Sequence, residues 1–482
     1  MSSTPVRVRI APSPSGYLHV GTARTAIANF LFARHYDGRF VIRIEDTDKE
    51  RSRPELIEPI IEALRWLGIE SDEPLVYQSQ RLEQYGRFAQ KILDAGHAYR
   101  CFMTPEEIDA ERTLAREQRR NPDYRTPSLS LSEDEIQSRV AANEPHTIRL
   151  KIPDGETTFQ DMVSGHLKKA NVDLEDLVLA RSDGTATYNL AVVVDDHEMG
   201  ISHVIRGNDH ITNTFKQMHI YRALGWESPV FGHLPLILRP DKKKVSKRLG
   251  DKDVNEYQTE GILPEAMFNY LCLLGWSPKE DREVFTVTEL IERFTERNFN
   301  ASNAVFDEEK LLAINKAHIM LKSDHELAVI VAPLLVEAGL TTKYWLETRW
   351  EYLRHVVGLL KERVTRLDDF APQSGYFFQS DYTYDDQAAA KHFTPEAAEH
   401  LQQLYERYES LTQFDAEALE QSLSALADDL GIKRARLIHP ARLAVSGVPA
   451  GPSLYHMLEV LGRRAVLERL QRAIEHIHRY SS

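Results

Sequence analysis

The sequence predicts a multidomain protein: an open α/β sheet, interrupted by an α+β insertion and followed by an all-α C-terminal region. Three observations predict it. Between Val6 and Ile44 a strand pattern, a turn, a helix pattern and a second strand pattern follow one another. That rhythm stops from Ala98 to about Thr187 and resumes at Leu190. From about Pro264 onward helix follows helix, with no strand pattern to defend. At 482 residues the chain is long enough for three or four domains.

The elements justify themselves in order. Val6, Val8 and Ile10 alternate with Arg7 and Arg9, the period of a short strand. Pro12 and Pro14 end it, and Gly16 permits a sharp turn. Ala23, Ala26, Ile27, Phe30 and Leu31 then recur at helical spacing, and Phe40-Val-Ile-Arg-Ile44 reads as the next strand. His19 and Gly21 therefore fall at a strand-to-helix crevice, where free helix N–H groups suit phosphate. An ordinary βα loop is the alternative this stretch alone leaves open. Glu45-Asp-Thr-Asp48 places three carboxylates at a strand end. Ser52-Arg-Pro-Glu55 has the form of a capping box with proline in the first turn. Pro59 fits badly in the apolar face that follows, so that helix is kinked or starts later. A helix from about Arg81 to Asp94 ends at Gly96.

In the insertion, Thr104-Pro-Glu-Glu107 and Ser132-Glu-Asp-Glu135 are further capping boxes. Ile148, Leu150 and Ile152 alternate with Arg149 and Lys151 as a strand, and Ser182-Asp-Gly184 is a hairpin signal between Leu177–Arg181 and Thr185–Tyr188. Leu190-Ala-Val-Val-Val194 reads as a buried parallel strand. His203-Val-Ile-Arg206 reads as another strand, ending at Gly207, with a helix from about Asn213 to Leu224. Pro235-Leu-Ile-Leu238 leads into a basic loop, Arg239 to Arg248. Leu458, Leu461, Val466, Leu467 and Leu470 mark the apolar side of the last helix.

Composition narrows the class. The chain is 42% hydrophobic and 27% charged, with no apolar run of membrane-spanning length. Met1-Ser-Ser-Thr-Pro5 lacks the features of a signal peptide, so a cytoplasmic protein is expected. Two cysteines, Cys101 and Cys272, supply neither a disulfide framework nor a cysteine-only zinc site. A formal net charge of −14 argues against polyanion binding over the whole surface, while basic residues concentrate at 239–252 and 433–442.

Two strings carry chemistry together. Pro12-Ser-Pro-Ser-Gly-Tyr-Leu-His-Val-Gly-Thr22 resembles the HIGH signature of class I aminoacyl-tRNA synthetases, and Lys244-Val-Ser-Lys-Arg248 resembles their KMSKS loop. Arg9 to Thr25, Arg43-Ile-Glu-Asp-Thr-Asp48, Tyr188 to His197, Ser202-His-Val-Ile-Arg-Gly207 and His233-Leu-Pro-Leu-Ile-Leu238 resemble bacterial-type glutamyl-tRNA synthetases. Gly451-Pro-Ser-Leu-Tyr455 extends the likeness to the C-terminal part. The resemblance implies a Rossmann-like catalytic domain in two halves, 1–83 and 189–239, around an acceptor-stem-binding insertion, 84–188. It implies a stem-contact region with the KMSKS-like loop, 240–322, and a helical anticodon-binding region, 323–482.

The implied reaction joins two anions, a glutamate carboxylate and the α-phosphate of ATP, whose transition state cationic donors in a water-poor cleft can stabilise. By resemblance His19, Lys244 and Lys247 are catalytic, and His19, Gly21, Thr22, Asp209, Lys244, Ser246 and Lys247 contact ATP. Lysine is a mobile point charge, suited to a departing pyrophosphate. Thr22 replaces the last histidine of the generic motif, and Asn208 replaces an acid usual beside Asp209. Glutamate needs partners for two carboxylates and one ammonium. Arg9, Ser13, Glu45, Tyr188 and Arg206 match the family's glutamate-contacting positions, and guanidinium suits bidentate carboxylate recognition. Which arginine holds the side-chain carboxylate stays open.

Some relatives carry zinc in the insertion. Here Arg100-Cys-Phe-Met-Thr104 offers one sulfur and Tyr124-Arg-Thr-Pro127 none, so no structural zinc is expected and Cys101 is expected to be buried. The implied substrates are ATP with Mg²⁺, L-glutamate and tRNA(Glu), with Arg434 and Arg442 as candidate tRNA phosphate contacts. The enzyme is expected to be a monomer without a membrane partner. Whether tRNA(Gln) is also charged stays open. A glutaminyl relative, a shortened tRNA-modifying relative and a catalytically dead RNA-binding module are the rivals. The bacterial-type strings, the long helical C-terminus and the intact His19, Lys244 and Lys247 argue against them in turn.

Overall fold

The alternation of Val8 and Ile10 with Arg7 and Arg9 forms a strand, β1 (Arg7–Ile10), paired in parallel with β2 (Arg39–Ile44). Helix α1 (Val20–His35) makes the crossover between them and is buried along most of its length, Phe30 meeting Phe40 and Phe268 edge-on. β3 (Val76–Tyr77) extends the sheet beyond β2. The capping box expected at Ser52 does not form. Arg53 occupies the N-cap position without a side-chain cap, Pro54 follows in a 3₁₀ turn, and the α-helix starts at Ile57. Pro59 thus sits in the first turn, where a missing N–H removes no intrahelical bond.

The insertion contributes two sheets. β4 (Ala98–Cys101), β5 (Thr147–Leu150) and β8 (Val178–Ala180) form an antiparallel sheet in the order β4-β5-β8. β6 (Glu156–Asp161) and β7 (Gly165–Ala170) form a hairpin. The capping boxes at Thr104/Glu107 and Ser132/Glu135 both form. At Ser182–Gly184 the chain turns through Gly184 at φ +80°, but the second arm is a single bridge, Ala180 to Ala186, because Tyr188 already begins a helix. That helix, Tyr188–Glu198, corrects the strand expected at Leu190–Val194. All five of those residues are buried, and an apolar run covered on every side looks alike in a helix and a buried strand.

β9 (His203–Gly207) and β10 (Val230–Leu234) pair in parallel, and the last residue of β6 joins β10 through Asp161 and Phe231. The inserted hairpin therefore extends the second half of the catalytic sheet. Ser202 N–H donates to Arg7 O at 2.9 Å, which sets β9 beside β1. The chain builds outward from β1 to β3 on one side and from β9 to β10 on the other, so the strand order reverses between β1 and β9. Such a reversal opens a crevice at the carboxyl ends of the strands. Beyond it, β11 (Ile237–Leu238) pairs with β12 (Ala304–Val305), a short strand inside the stretch expected to be wholly helical.

The structure, a computed structural model, describes residues 5–48, 50–245 and 252–480. Contacts divide the chain into two units, Met1–Gln258 with Pro264–Glu308, and Thr259–Leu263 with Glu309–Ser482. The second is helical. Its last apolar face is shared by two helices, Leu454–Leu461 and Arg463–Tyr480, because Gly462 at φ +81° breaks the run expected as one. No helix among the described residues is long and apolar enough to cross a membrane.

Candidate active site

The crevice between β1 and β9 is a cleft of about 230 Å³ lined by Arg9, His19, Gly21, Thr22, Arg24, Glu45, Tyr188, Arg206, Asp209, His210 and Lys244, among others. Nine of the sequence-predicted residues thus come together, from β1, the start of α1, the end of β2, the helix at Tyr188, β9 and the turn after it, and the loop after β11.

On the sheet side the two arginines differ in what holds them. Arg9 forms a bidentate pair with Asp196, Nε to Oδ1 at 3.0 Å and NH2 to Oδ2 at 3.2 Å. Arg43, fully buried, donates to the same Asp196 Oδ1 at 2.6 Å and to Glu45 Oε1 at 3.2 Å. Burial would raise the Asp196 pKa, but Arg43 and Arg9 pull it down to about 2. Arg206 touches only neutral acceptors: NH2 donates to Thr214 Oγ1 and Gln217 Oε1, both at 2.7 Å, and Nε to His233 Nε2 at 3.4 Å. Its NH1 is buried and has no hydrogen-bond partner among the described residues. Burial lowers the Arg206 pKa, as expected for a charge without a contacting counterion. Burial also raises the Glu45 carboxyl, against the pull of Arg43 and Arg9.

Asp195 lies 3.8 Å from Arg43 Nε and accepts from Arg81 Nε at 2.7 Å, Gln78 Nε2 at 2.7 Å and Tyr85 OH at 2.8 Å. Arg9, Arg43 and Arg81 thus each meet a carboxylate of Asp196, Glu45 or Asp195, whereas Arg206 meets none. His210, whose Nδ1 lies 3.3 Å from Tyr188 OH, adds no charge, since burial and Arg206 lower its pKa to about 4.

On the helix side His19 is the N-cap of α1. Its Nδ1 accepts from Gly21 N–H at 3.1 Å, so in the neutral ring the proton sits on Nε2 and can be donated to an anion. Capping and phosphate binding are therefore compatible uses of the two ring nitrogens. A Cβ on Gly21 would lie 3.2 Å from His19 Nδ1, so glycine also preserves the cap. Lys244 Nζ donates to Asp209 Oδ2 at 2.8 Å across the mouth of the cleft. Asp209 Oδ1 lies 2.5 Å from where a Cβ on Gly207 would stand, so a glycine admits the carboxylate there. Downstream, Asp253 bridges to His19, and Val254 N–H donates to Leu18 O at 3.0 Å. The segment after the second motif is thereby tied to the first.

Other expected positions fall elsewhere. Ser13 is exposed and does not line the cleft. Ser246 and Lys247 lie outside the described residues. Arg434 is the exposed N-cap residue of the helix Ala435–Ser446. Arg442, two turns on, is half-buried, with NH1 3.0 Å from where a Cβ on Gly451 would stand. Cys101 is buried with Tyr99 and Tyr124.

The motif strings contain Arg24, Arg43, Asp195, Asp196 and His233 without giving them roles, and Thr214 and Gln217 lie outside them. Arg24 is buried and donates to Pro235 O at 2.6 Å and Leu274 O at 3.3 Å, joining α1 to the segment after β10. Consecutive acids after an apolar run were the available signal for Asp195 and Asp196, and reading that run as a strand concealed it.

Known proteins resemble this chain over nearly its whole length. Residues 5–313 match a family model described as tRNA synthetases class I (E and Q), catalytic domain, and residues 327–474 match an anticodon binding domain. The chain is 44% identical to glutamate–tRNA ligase 2 of Rubrobacter xylanophilus, over 99% of this chain and 98% of that one. It is 42% identical to glutamate–tRNA ligase of Thermodesulfovibrio yellowstonii, over 98% and 99%. A crystal structure of a glutamate tRNA ligase from Elizabethkingia meningosepticum, in complex with its amino acid, superposes with a TM-score of 0.89 at 34% identity, covering 98% of this chain and 99% of that one.

Proposed function

From a chain that belongs to the class I tRNA synthetases of the glutamate and glutamine group, we propose a glutamate–tRNA ligase that activates L-glutamate with ATP and transfers it to tRNA. The observation that carries the reading is the cleft at the β1/β9 switch point, with an uncompensated Arg206 beside Glu45 on one side and His19 and Lys244 on the other.

Glutamate enters as two carboxylates and an ammonium. Arg206 offers NH1 to one carboxylate, and Arg9, held by Asp196, serves the other. Glu45 takes the ammonium, and Tyr188 donates to a carboxylate. A neutral amide in place of the side-chain carboxylate would leave a guanidinium unmatched, which is how such a pocket rejects glutamine. On the helix side Gly21 and Thr22 flank the nucleotide, and His19 Nε2–H donates to phosphate oxygens. Lys244 exchanges Asp209 for phosphate, and Ser246 and Lys247 complete the loop as pyrophosphate leaves. ATP enters with Mg²⁺ as substrate. The α-carboxylate attacks the α-phosphate, giving glutamyl-AMP and pyrophosphate, and the acyl group then passes to the 2′-hydroxyl of the tRNA terminal adenosine with release of AMP.

We assign the acceptor stem to 84–188, further stem contacts to 240–322 and the anticodon to 323–482, with Arg434 and Arg442 as phosphate contacts and Ser13 joining the pocket when glutamate is bound. The reading carries with it a monomeric cytoplasmic enzyme. AMP release that requires glutamate, ATP and a tRNA(Glu) transcript together is the expected result. No AMP release under those conditions would overturn it, and parallel charging of a tRNA(Gln) transcript would report the tRNA range.

A further inference from the structure

We propose that Asp161, His233 and Thr214 form a hydrogen-bonded relay that positions Arg206 while leaving its charge for the substrate, making Asp161 and His233 positioning residues for amino-acid selection. The proposal deepens the glutamate-binding reading above and rests on it.

The directions of the bonds follow from one another. His233 Nδ1 lies 2.6 Å from Asp161 Oδ2, and both side chains are fully buried. A ring lone pair cannot face a carboxylate at that distance, so Nδ1 carries the proton and donates it. In the neutral ring Nε2 is then an acceptor. It faces the Thr214 hydroxyl at 2.9 Å and Arg206 Nε–H at 3.4 Å. Thr214 Oγ1 in turn accepts from Arg206 NH2 at 2.7 Å, and Gln217 Oε1 accepts from the same nitrogen at 2.7 Å. Gln217 is itself turned by donating to Asn189 Oδ1 at 3.0 Å. Three acceptors thus fix the guanidinium plane and leave NH1 for the cleft.

The arrangement keeps a carboxylate one imidazole away from Arg206 instead of in contact with it. Asp196, by contrast, meets Arg9 directly. Asp161 is pinned independently, because its Oδ1 accepts backbone N–H groups of Ser164 at 2.8 Å, Val163 at 3.0 Å and His233 at 3.2 Å. Oδ2 is thereby reserved for the ring, and the inserted hairpin contributes a group to the amino-acid pocket. The other tautomer, or a second proton on the His233 ring, would set an N–H against the Arg206 N–H, and the buried carboxylate prevents the first of these.

The test compares Asp161→Asn, His233→Phe and His233→Gln in the full-length enzyme with a tRNA(Glu) transcript. Asp161→Asn preserves shape and can keep the Oδ1 bonds, but turns an amide N–H₂ toward Nδ1 and so reverses the ring. The glutamate KM should rise about 10-fold or more, the scale of losing one hydrogen bond to a charged group, while the ATP KM stays within about twofold. His233→Phe should show the same split, and His233→Gln, whose Oε1 can accept from Thr214 or Arg206, should recover part of it. Glutamate and ATP KM values that move together, or a His233→Gln enzyme no better than His233→Phe, would overturn the relay. Should Asp161→Asn fail to fold, the two His233 variants decide alone. A wild-type enzyme without glutamate-dependent AMP formation would instead refute the underlying reading of the site.

Discussion

Replacing Arg206 with glutamine should abolish useful glutamate binding and leave the fold intact. Arg206 is 6% exposed and is surrounded by Thr214, Gln217 and His233, none of them a counterion. In the free enzyme its charge is therefore a cost, while its neutral hydrogen bonds contribute about 0.5–1.5 kcal/mol each. Glutamine can remake one of those bonds and removes the buried charge, so net stability should change by no more than about 1 kcal/mol. In the complex the loss is different in kind, because a substrate carboxylate is left buried without its cation. Truncating one member of such a pair costs about 2–5 kcal/mol, equivalent to a glutamate KM raised from about 30-fold to several thousand-fold. The assay is glutamate titration of tRNA-dependent AMP formation, paired with thermal unfolding. A glutamate KM within threefold of wild type would refute the assignment of Arg206 to the substrate. A melting temperature lower by about 10 °C would refute the claim that its charge is uncompensated.

Asp196→Asn should behave in the opposite sense, destabilising by about 3–5 kcal/mol because Arg9 then loses its carboxylate partner and Arg43 keeps only Glu45 and the more distant Asp195; urea unfolding measures it, and a loss below 1 kcal/mol would be contrary. Because the Asp196 carboxyl is depressed from 3.8 to about 2, its contribution is fully present above about pH 5. It should be lost as the pH falls from about 4 toward 2, so the acid limb of a stability–pH curve should flatten in the Asp196→Asn variant. Gly207→Ala should displace Asp209, whose Oδ1 lies 2.5 Å from the new methyl, and so free Lys244; the expected readout is an altered ATP KM with glutamate binding unchanged in equilibrium dialysis. Lys247→Ala should lower adenylate formation, followed by pyrophosphate exchange, far more than glutamate affinity, and equal losses would mean that the lysine acts in binding or folding.

Much of the local structure was legible because its causes act over a few residues. The capping boxes at Thr104 and Ser132 need only a hydroxyl and a carboxylate three positions apart, and both form. The period of two in β1 and the Gly184 turn are equally local. Ser52 shows the boundary of that logic, since Pro54 imposed a 3₁₀ turn and moved the N-cap position to Arg53. Leu190–Val194 failed for another reason. Burial on all sides erases the periodicity that separates a helix from a strand, and the uninterrupted length from Tyr188 to Glu198, without glycine or proline, was the cue that favoured a helix.

What the sequence by itself determined was the chemistry on offer: two arginines, an acid, a capping histidine and a mobile lysine, in an order that placed them at strand and helix ends. Tertiary structure decided how each is used. Arg9 and Arg206 look equivalent as strand-end residues, yet Asp196 neutralises the first from 187 positions away while Thr214, Gln217 and His233 leave the second charged. A carboxylate in contact cancels a cation in a water-poor interior, and a neutral acceptor does not. Whether a buried arginine is a strut or a ligand-binding group is therefore set by which side chains the fold brings against it.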